Sequence, residues 1–282
     1  MHPLHLIDTD KPLQQIKEML AFLENIKHET GKARSAKIEL DLSRIEWILP
    51  CASLLLSHRI SELRSEGCKV DITAPRSQAV VNHLKQIGFP FGNEDRPHTC
   101  FPICHFRNNV PQHLNEMFRF IDQNFPKVEN YQNGLKYVLS ELADNLEQHS
   151  AFGHATVMAQ CFEKKGYIDI GIMDNGITIP GRFEKSGITF NEDFEAVNLA
   201  LNGKSTKAQE EGRGWGLPTT SELMSKGFKG SLLIISRRGA VDISTSGARN
   251  LYKLKDESLS GTLVYGRFGI PRQKVDITPY TS

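Results

Sequence analysis

The first third of the chain alternates helical and strand patterns of apolar residues. Leucine and isoleucine recur every three or four positions at the start: Leu13, Ile16, Leu20 and Leu23. This spacing predicts a helix over residues 12–29. Residues 37–42 then alternate between polar and apolar with a period of two, which predicts a half-buried strand.

The same alternation continues to about residue 88. A helical pattern over 53–64 is closed by Gly67, a second strand pattern covers 69–73, and a helical pattern over 77–87 ends at Gly88. Strands that alternate with helices favour a parallel or mixed sheet with helices packed on it.

A different pattern separates this part from the second half. Residues 90–111 are rich in proline, asparagine, glycine and histidine, which predicts a linker. Residues 110–124 then carry apolar side chains at helical spacing, so we expect one amphipathic helix to bridge the halves. Its apolar positions are Leu114, Met117, Phe118 and Ile121.

Composition narrows the class of protein. The 282 residues are enough for one large domain or two ordinary ones, and 39% hydrophobic with 24% charged residues is typical of a soluble globular chain. A net charge of +1 gives no reason to expect nucleic acid or a membrane as partner. An odd count of five cysteines, with no signal peptide and no long apolar run, predicts a reduced, cytoplasmic setting.

Candidate chemistry begins on a predicted helix that starts near Tyr131. Glu141 and Asn145 are four residues apart and therefore project from one side of that helix. An amide oxygen is a hard ligand suited to magnesium. A carboxylate one turn earlier can accept a proton from an attacking water or hydroxyl.

Two turns beside predicted strands add polar groups. Asp174 follows the apolar strand 167–173, where its carboxylate can accept a hydrogen bond from an exocyclic amine such as that of adenine, and Gly176 lets backbone approach a flat base. Thr262 opens the strand 263–265, where its hydroxyl is placed to support that carboxylate.

A glycine run precedes another helical pattern, over 219–225. Gly212, Gly214 and Gly216, with Leu217, would leave free backbone amides aimed at phosphate at the start of this helix. Each of these motifs alone is common in loops and on solvated helix faces. Together, in this order over residues 131–272, they resemble the GHKL family of gyrase, heat-shock chaperone, histidine-kinase and MutL-type ATPases.

The resemblance implies an α/β sandwich with a mixed sheet, and ATP with magnesium as ligands. It implies that Asn145 binds the metal, that Asp174 contacts adenine with Gly176 beside the base, and that Thr262 lies behind Asp174. The residues that would border the phosphates are Gly212, Gly214, Gly216 and Leu217. The stretch 181–211 would be a mobile lid, with residues 203–206 placed to reach the γ-phosphate.

The first half, residues 1–100, resembles a STAS domain, the fold of anti-sigma-factor antagonists, through the pattern of residues 38–89. Cys51 stands where that family carries its phosphorylatable serine. We therefore expect the phosphoswitch to be lost and the domain to serve as a binding or scaffolding surface. Residues 101–130 would be linker and bridging helix, and 273–282 a tail.

Three interpretations of what this chain would do with bound ATP remain open. The chain resembles an anti-sigma-type serine kinase or an ATPase, with Glu141 as base; its partner would be a STAS-type or sigma-factor-like regulator, and relatives often form homodimers. The alternative is a non-catalytic, ATP-gated interaction switch. A sensor histidine kinase is disfavoured, because the class needs a helical hairpin and His113 lacks an acidic neighbour.

Some groups of residues resemble other kinds of binding site without matching the full pattern. Residues 203–206 resemble the end of a P-loop, but the required earlier glycine is Asn198. The arginines near 237, 238 and 249 fit a phosphate contact and a solvated surface equally well. Another cluster lacks the regular spacing of a zinc site, so we expect loop and core roles for its members: His98, Cys100, Cys104, His105 and His113.

Overall fold

The computed structural model describes residues 4, 6, 9–30, 37–92, 98–204, 216–255 and 257–281 of the chain. Its helices are α1 (Pro12–Thr30), α2 (Pro50–Ser65), α3 (Gln78–Gln86), α4 (Val110–Asn124), α5 (Tyr131–Asn145), α6 (Ile179–Lys185), α7 (Asp193–Leu201), α8 (Gly216–Glu222) and α9 (Thr278–Thr281). Its strands are β1 (Lys37–Asp41), β2 (Lys69–Thr73), β3 (Cys100–Phe106), β4 (Ala155–Phe162), β5 (Tyr167–Asp174), β6 (Ser231–Arg237), β7 (Gly239–Ile243), β8 (Arg249–Lys253) and β9 (Leu259–Gly269). Within these ranges no helix is both long and apolar enough to cross a membrane.

The first part of the chain forms a small parallel sheet. β1 and β2 pair with Ile38 opposite Val70 and Leu40 opposite Ile72. Parallel neighbours need a crossover connection, and α2 provides it. The helices and strands that the apolar pattern predicts before residue 88 are therefore confirmed.

The second part builds a seven-stranded sheet in the order β3-β4-β5-β9-β6-β7-β8. Every neighbouring pair is antiparallel. The mixed sheet implied for residues 131–272 is therefore wrong for the described strands, because the parallel pair β1–β2 belongs to the other half of the chain. The predicted combination of helices and sheet in an α/β sandwich is confirmed.

The edge strand β3 lies inside the segment predicted to be a linker, and that prediction is wrong for residues 100–106. The pairing of β3 with β4 shifts register between Phe101 and Cys104, on either side of Pro102. Proline cannot donate to a strand ladder and is therefore tolerated on an edge strand. The bridging helix predicted over 110–124 is present as α4.

One face of the large sheet is covered by α4, by α5 and by the π-turn Leu223–Gly227 that follows α8. Leu135 and Leu139 of α5 pack in one core with Ile170 and Ile234 from the sheet. The apolar side of α5 therefore anchors this helix to the strands.

The other face of the large sheet is covered by α2. A β-carbon at Gly171 of β5 would lie 2.7 Å from Leu54 Cδ2, so this helix and strand are in direct contact. Leu54 shares a core with Met158, Met173 and Tyr265 of the sheet. α2 also contacts α1 and β2, so every residue from Pro50 to His58 is buried.

A buried ion pair lies on the face of the sheet that α2 covers. Arg267 donates from Nε and Nη2 to the two carboxylate oxygens of Asp169, at 2.8 and 2.9 Å, and the Tyr265 hydroxyl donates to the same carboxylate. Asp169 is fully buried, and Arg267 also stacks on the Tyr167 ring. Burial raises the pKa of Asp169, while the hydrogen bonds from Arg267 and Tyr265 oppose that rise.

Replacing Asp169 with alanine is expected to lower the free energy of unfolding by about 3 kcal/mol, because Arg267 would lose its counter-charge inside the protein. Urea unfolding measures the change. The control is Glu222→Ala, which removes an exposed pair with Lys226 and should change stability by less than about 0.5 kcal/mol. Equal losses in the two variants would contradict a stabilising role for the buried pair.

Candidate functional site

The last turn of α5 carries Glu141 and Asn145 on one side of the helix. The helix does not continue to residue 149 in α-helical form, because the backbone widens into a π-turn over Leu146–Ser150. Asn145 Nδ2 is buried and has no hydrogen-bond partner within the described residues. A buried amide without a partner is uncommon, and it marks a place where a ligand or water can complete the hydrogen bonding.

The first residue of α8 lies against these two side chains. A β-carbon at Gly216 would come within 2.5 Å of Glu141 Oε2 and 3.8 Å of Asn145 Nδ2. The Tyr137 and Thr219 hydroxyls, 3.3 Å apart, join α5 to α8 one turn further on. The structure therefore brings Glu141, Asn145 and Gly216 together at a helix start, where unpaired amides and the helix dipole favour an anion.

The other residues predicted to border the phosphates are Leu217, which follows Gly216 in α8, and two glycines that are not described. Leu217 is half-buried and packs against the core beneath α5. Gly212, Gly214, Ser205 and Thr206 fall outside the described residues.

The carboxylate of Asp174 is buried at the end of β5, with 5% of the residue exposed. Its Oδ1 accepts a hydrogen bond from the Gly176 amide at 2.7 Å. Burial raises the pKa of Asp174 to about 7, and hydrogen bonds from the Gly176 and Thr262 amides and the Ser150 hydroxyl oppose the rise. The group can therefore change its charge near neutral pH.

Thr262 lies beside Asp174 on the neighbouring strand, as the resemblance implies. We expected the Thr262 hydroxyl to bond the Asp174 carboxylate. The backbone amide of Thr262 makes this hydrogen bond instead. The hydroxyl is 2.8 Å from the Ser236 hydroxyl. Ser236 in turn accepts from the Ile179 amide at 2.9 Å, so it links this row of polar groups to the start of α6.

Ser236 was missed by sequence reasoning. A serine directly after the apolar run 232–235 is the signal that could have found it, because a buried hydroxyl needs hydrogen-bond partners.

Two glycines let the backbone close tightly around Asp174. A β-carbon at Gly176 would collide with the Ser150 carbonyl oxygen, which also accepts from the Ile177 amide at 2.5 Å. Gly261 has a φ of +90°, and a β-carbon there would collide with the Asp174 carbonyl oxygen. Both positions therefore require glycine for steric reasons.

Both groups of residues lie on the same face of the sheet. Ile168, Ile170 and Ile172 point toward the core that contains α5. Side chains alternate along a strand, so Asp174 points to that face as well. Ser150, at the end of the π-turn after Asn145, contacts Asp174 and thereby joins the two groups.

The start of the predicted lid is held in place by the side chains of two arginines. Arg237 donates to Asp193 of α7 and to Glu184 of α6, and Arg249 donates to Asn198 and Asn202 around the end of α7. Arg237 and Arg249 thus brace α6 and α7, whereas Arg238 is exposed at the surface. Residues 205–211 of the predicted lid lie outside the described residues.

The suspected zinc residues separate into different contacts. His98 Nδ1 is 2.7 Å from Asn124 Oδ1, Cys104 Sγ is 3.5 Å from His113 Nδ1, and Cys100 is buried. Among the described residues no group of three or more histidine, cysteine or acidic side chains is arranged to hold a metal. The structural roles expected for this cluster are consistent with these contacts.

Residues 130–257 match the family model described as histidine kinase-, DNA gyrase B-, and HSP90-like ATPase. This part of the chain is therefore similar to that family of ATPases, and the match includes Glu141, Asn145, Asp174 and Gly216, whereas Thr262 follows the matched range. No curated protein and no solved structure matches the chain.

Replacing Gly261 with alanine is expected to lower the free energy of unfolding by about 3 kcal/mol, from left-handed backbone strain and from collision with the Asp174 carbonyl. Gly187→Ala is the control, because Gly187 has a φ of +70° but no atom within 4 Å of the added carbon. It should cost only about 1 kcal/mol of strain. Urea unfolding of both variants separates strain from collision, and equal losses would mean that close approach at Gly261 is not required.

Proposed function

We propose that this protein is a regulatory Mg-ATP-binding protein that uses Glu141 as the base in phosphoryl transfer to a protein or in ATP hydrolysis. The observation that carries the proposal is the meeting of Glu141, Asn145 and Gly216 at one end of a site whose other end holds Asp174. The family model that residues 130–257 match describes ATPases, which supports ATP as the ligand. The division of roles along the site is our inference.

The phosphate end suits magnesium and phosphate. Asn145 offers an amide oxygen to the metal, and its buried, unpartnered Nδ2 can donate to a phosphate oxygen or to water. Gly216 and Leu217 begin α8, whose amides and dipole favour the phosphate charge. Magnesium, when bound, would neutralise charge that develops on the transferring phosphoryl group.

The base end suits adenine. An ionised Asp174 accepts from the exocyclic amine, while Gly176, which must be glycine because Ser150 lies so close, donates its amide to that carboxylate. The amides of Gly176 and Thr262 hold the carboxylate, so its direction is fixed before the nucleotide arrives. Such preorganisation lowers the entropic cost of binding.

Glu141 is placed for proton transfer at the phosphate end. Its carboxylate lies beside the Cα of Gly216, where the helix start would hold the terminal phosphates. From that position it can accept the proton of an attacking water or serine hydroxyl. The acceptor hydroxyl would come from a partner of the STAS type or a sigma-factor-like regulator.

A non-catalytic ATP-gated switch is the second candidate, and the surroundings of Cys51 favour it. Cys51 is 0% exposed and lies close to Asp169 on the sheet face covered by α2, and burial raises the pKa of its thiol far above the usual range. If the first half is STAS-like, its acceptor position is therefore sealed inside this chain. The half would act as a scaffold, and ATP would change the surface offered to another protein.

Glu141→Ala separates the two candidates. If Glu141 is the base, turnover should fall by about 10²–10⁴-fold while the Kd for ATP changes less than about threefold. Phosphate release and calorimetry provide the two measurements. Asp144→Ala, an exposed neighbour on the same helix, is the control and should leave both values unchanged. Turnover that survives the Glu141 substitution removes this residue from the mechanism.

The affinity for ATP is expected to fall about tenfold from pH 8 to pH 6. The pKa of Asp174 in the free protein is about 7, and only the ionised group is a strong acceptor for the adenine amine, so acid favours the weakly binding form. Calorimetry at fixed magnesium measures this dependence. Asp174→Asn should bind weakly at every pH and lose the difference. The ionisation of ATP itself affects the wild type and Asp174→Asn equally. Parallel pH profiles of ATP affinity in these two proteins would therefore exclude Asp174 as the cause of the pH dependence.

A further inference from the structure

We propose that Glu62, in the N-terminal half of the chain, is a positioning residue for the turn that bears Asp174, and that this half thereby sets the affinity for adenine. The inference rests on the proposed function. It assigns a role to a contact between α2 and the Asp174–Gly176 turn.

The side chain of Asn175 uses both ends of its amide group. Nδ2 donates to Glu62 Oε1 at 2.9 Å. Oδ1 accepts from the backbone amides of Gly153 and His154, at 3.0 and 2.8 Å. The turn is therefore tied by one side chain both to the loop before β4 and to a helix of the other half.

Glu62 is itself held in one orientation. Its side chain is 13% exposed, and its second oxygen accepts from Arg59 Nη1 at 3.1 Å. His58 Nε2 lies 3.7 Å from Oε1 and makes no hydrogen bond among the described groups. A carboxylate restrained in this way presents a fixed acceptor to Asn175, and hydrogen bonds with a charged partner are the stronger kind.

A buried polar cluster fixes α2 at this point of the sheet. His58 Nδ1 is 2.8 Å from Thr156 Oγ1, which is also 3.0 Å from His105 Nδ1. Ser57 Oγ is 3.0 Å from His105 Nε2, and His154 stacks on His105. Hydrogen bonds are directional, so this cluster sets the position of α2 along the strands more narrowly than apolar packing does.

The consequence concerns the residue next to Asn175. Gly176 donates to the Asp174 carboxylate, so a shift of the Asn175 side chain moves the group that aims the adenine acceptor. Any partner that displaces α2 would therefore weaken adenine binding. By thermodynamic linkage, bound nucleotide would oppose that partner by the same factor.

The test compares Glu62→Ala, Glu62→Gln and Glu66→Ala in the full chain. Glu66 is the matched control, because it bonds the same Arg59, at 3.3 Å, but does not touch Asn175. Calorimetry measures the affinity for ATP and for inosine triphosphate, which carries a carbonyl oxygen in place of the exocyclic amine. Urea unfolding verifies that each variant is folded.

We expect Glu62→Ala to weaken ATP binding about tenfold and inosine triphosphate binding less than twofold, because only ATP uses the aimed carboxylate as an acceptor. Glu62→Gln should stay within about twofold of the wild type, since its amide oxygen still accepts from Asn175. Glu66→Ala should match the wild type. In an Asn175→Ala background, Glu62→Ala should have no further effect.

Two outcomes overturn the inference while leaving the proposed function intact. In the first, the wild type binds ATP but Glu62→Ala behaves like Glu66→Ala. In the second, Glu62→Ala weakens both nucleotides equally, which indicates a general structural role. A wild type that binds no ATP is a different result, because it removes the proposed function itself.

Discussion

The central strands of the large sheet are apolar on both faces, and the rest of the structure depends on covering both. β4 and β5 are buried along almost their whole length. Antiparallel sheets commonly leave one face to solvent, but strands of this composition cannot do so without exposing a large apolar surface. α5 and its neighbours cover one face and α2 covers the other. The N-terminal half is therefore a layer of the same sandwich.

This shared sheet explains how the site obtains an acceptor that titrates near neutral pH. Asp174 lies where β5 ends between two covered faces, so it is removed from water without gaining a cationic partner among its described contacts. Backbone amides stabilise its charge only in part, which leaves the pKa near 7. Asp169 is also buried, but two hydrogen bonds from Arg267 support its charge. The charge of Asp169 is thus stabilised by a cationic side chain, whereas the charge of Asp174 is stabilised mainly by backbone amides.

Local patterns were sufficient for most elements and for the motifs of the site. Amphipathic spacing predicts α1 and α4, and the four-residue interval predicts that Glu141 and Asn145 share a side of α5. β3 was hidden because Pro102 interrupts its pattern, and only its position at the sheet edge makes that residue tolerable. The partners of Arg237 and Arg249 could not be predicted, since hydrogen bonds between residues about fifty positions apart depend on the packing of α7 against the sheet.

The turn after β5 lies between two parts of the chain that could transmit a signal. On one side Asn175 is bonded to Glu62 of α2. On the other, the row from Asp174 through Thr262 to Ser236 ends at the amide of Ile179, where α6 begins. α6 is in turn braced by Arg237. Under the proposed function, a change in a nucleotide at Asp174 would have one route to the N-terminal half and another to the start of α6. Both routes consist of hydrogen bonds whose geometry tolerates little displacement. Because Cys51 is sealed against the sheet, a partner that acts on the N-terminal half must reach the nucleotide through the position of α2 and not through chemistry at that thiol.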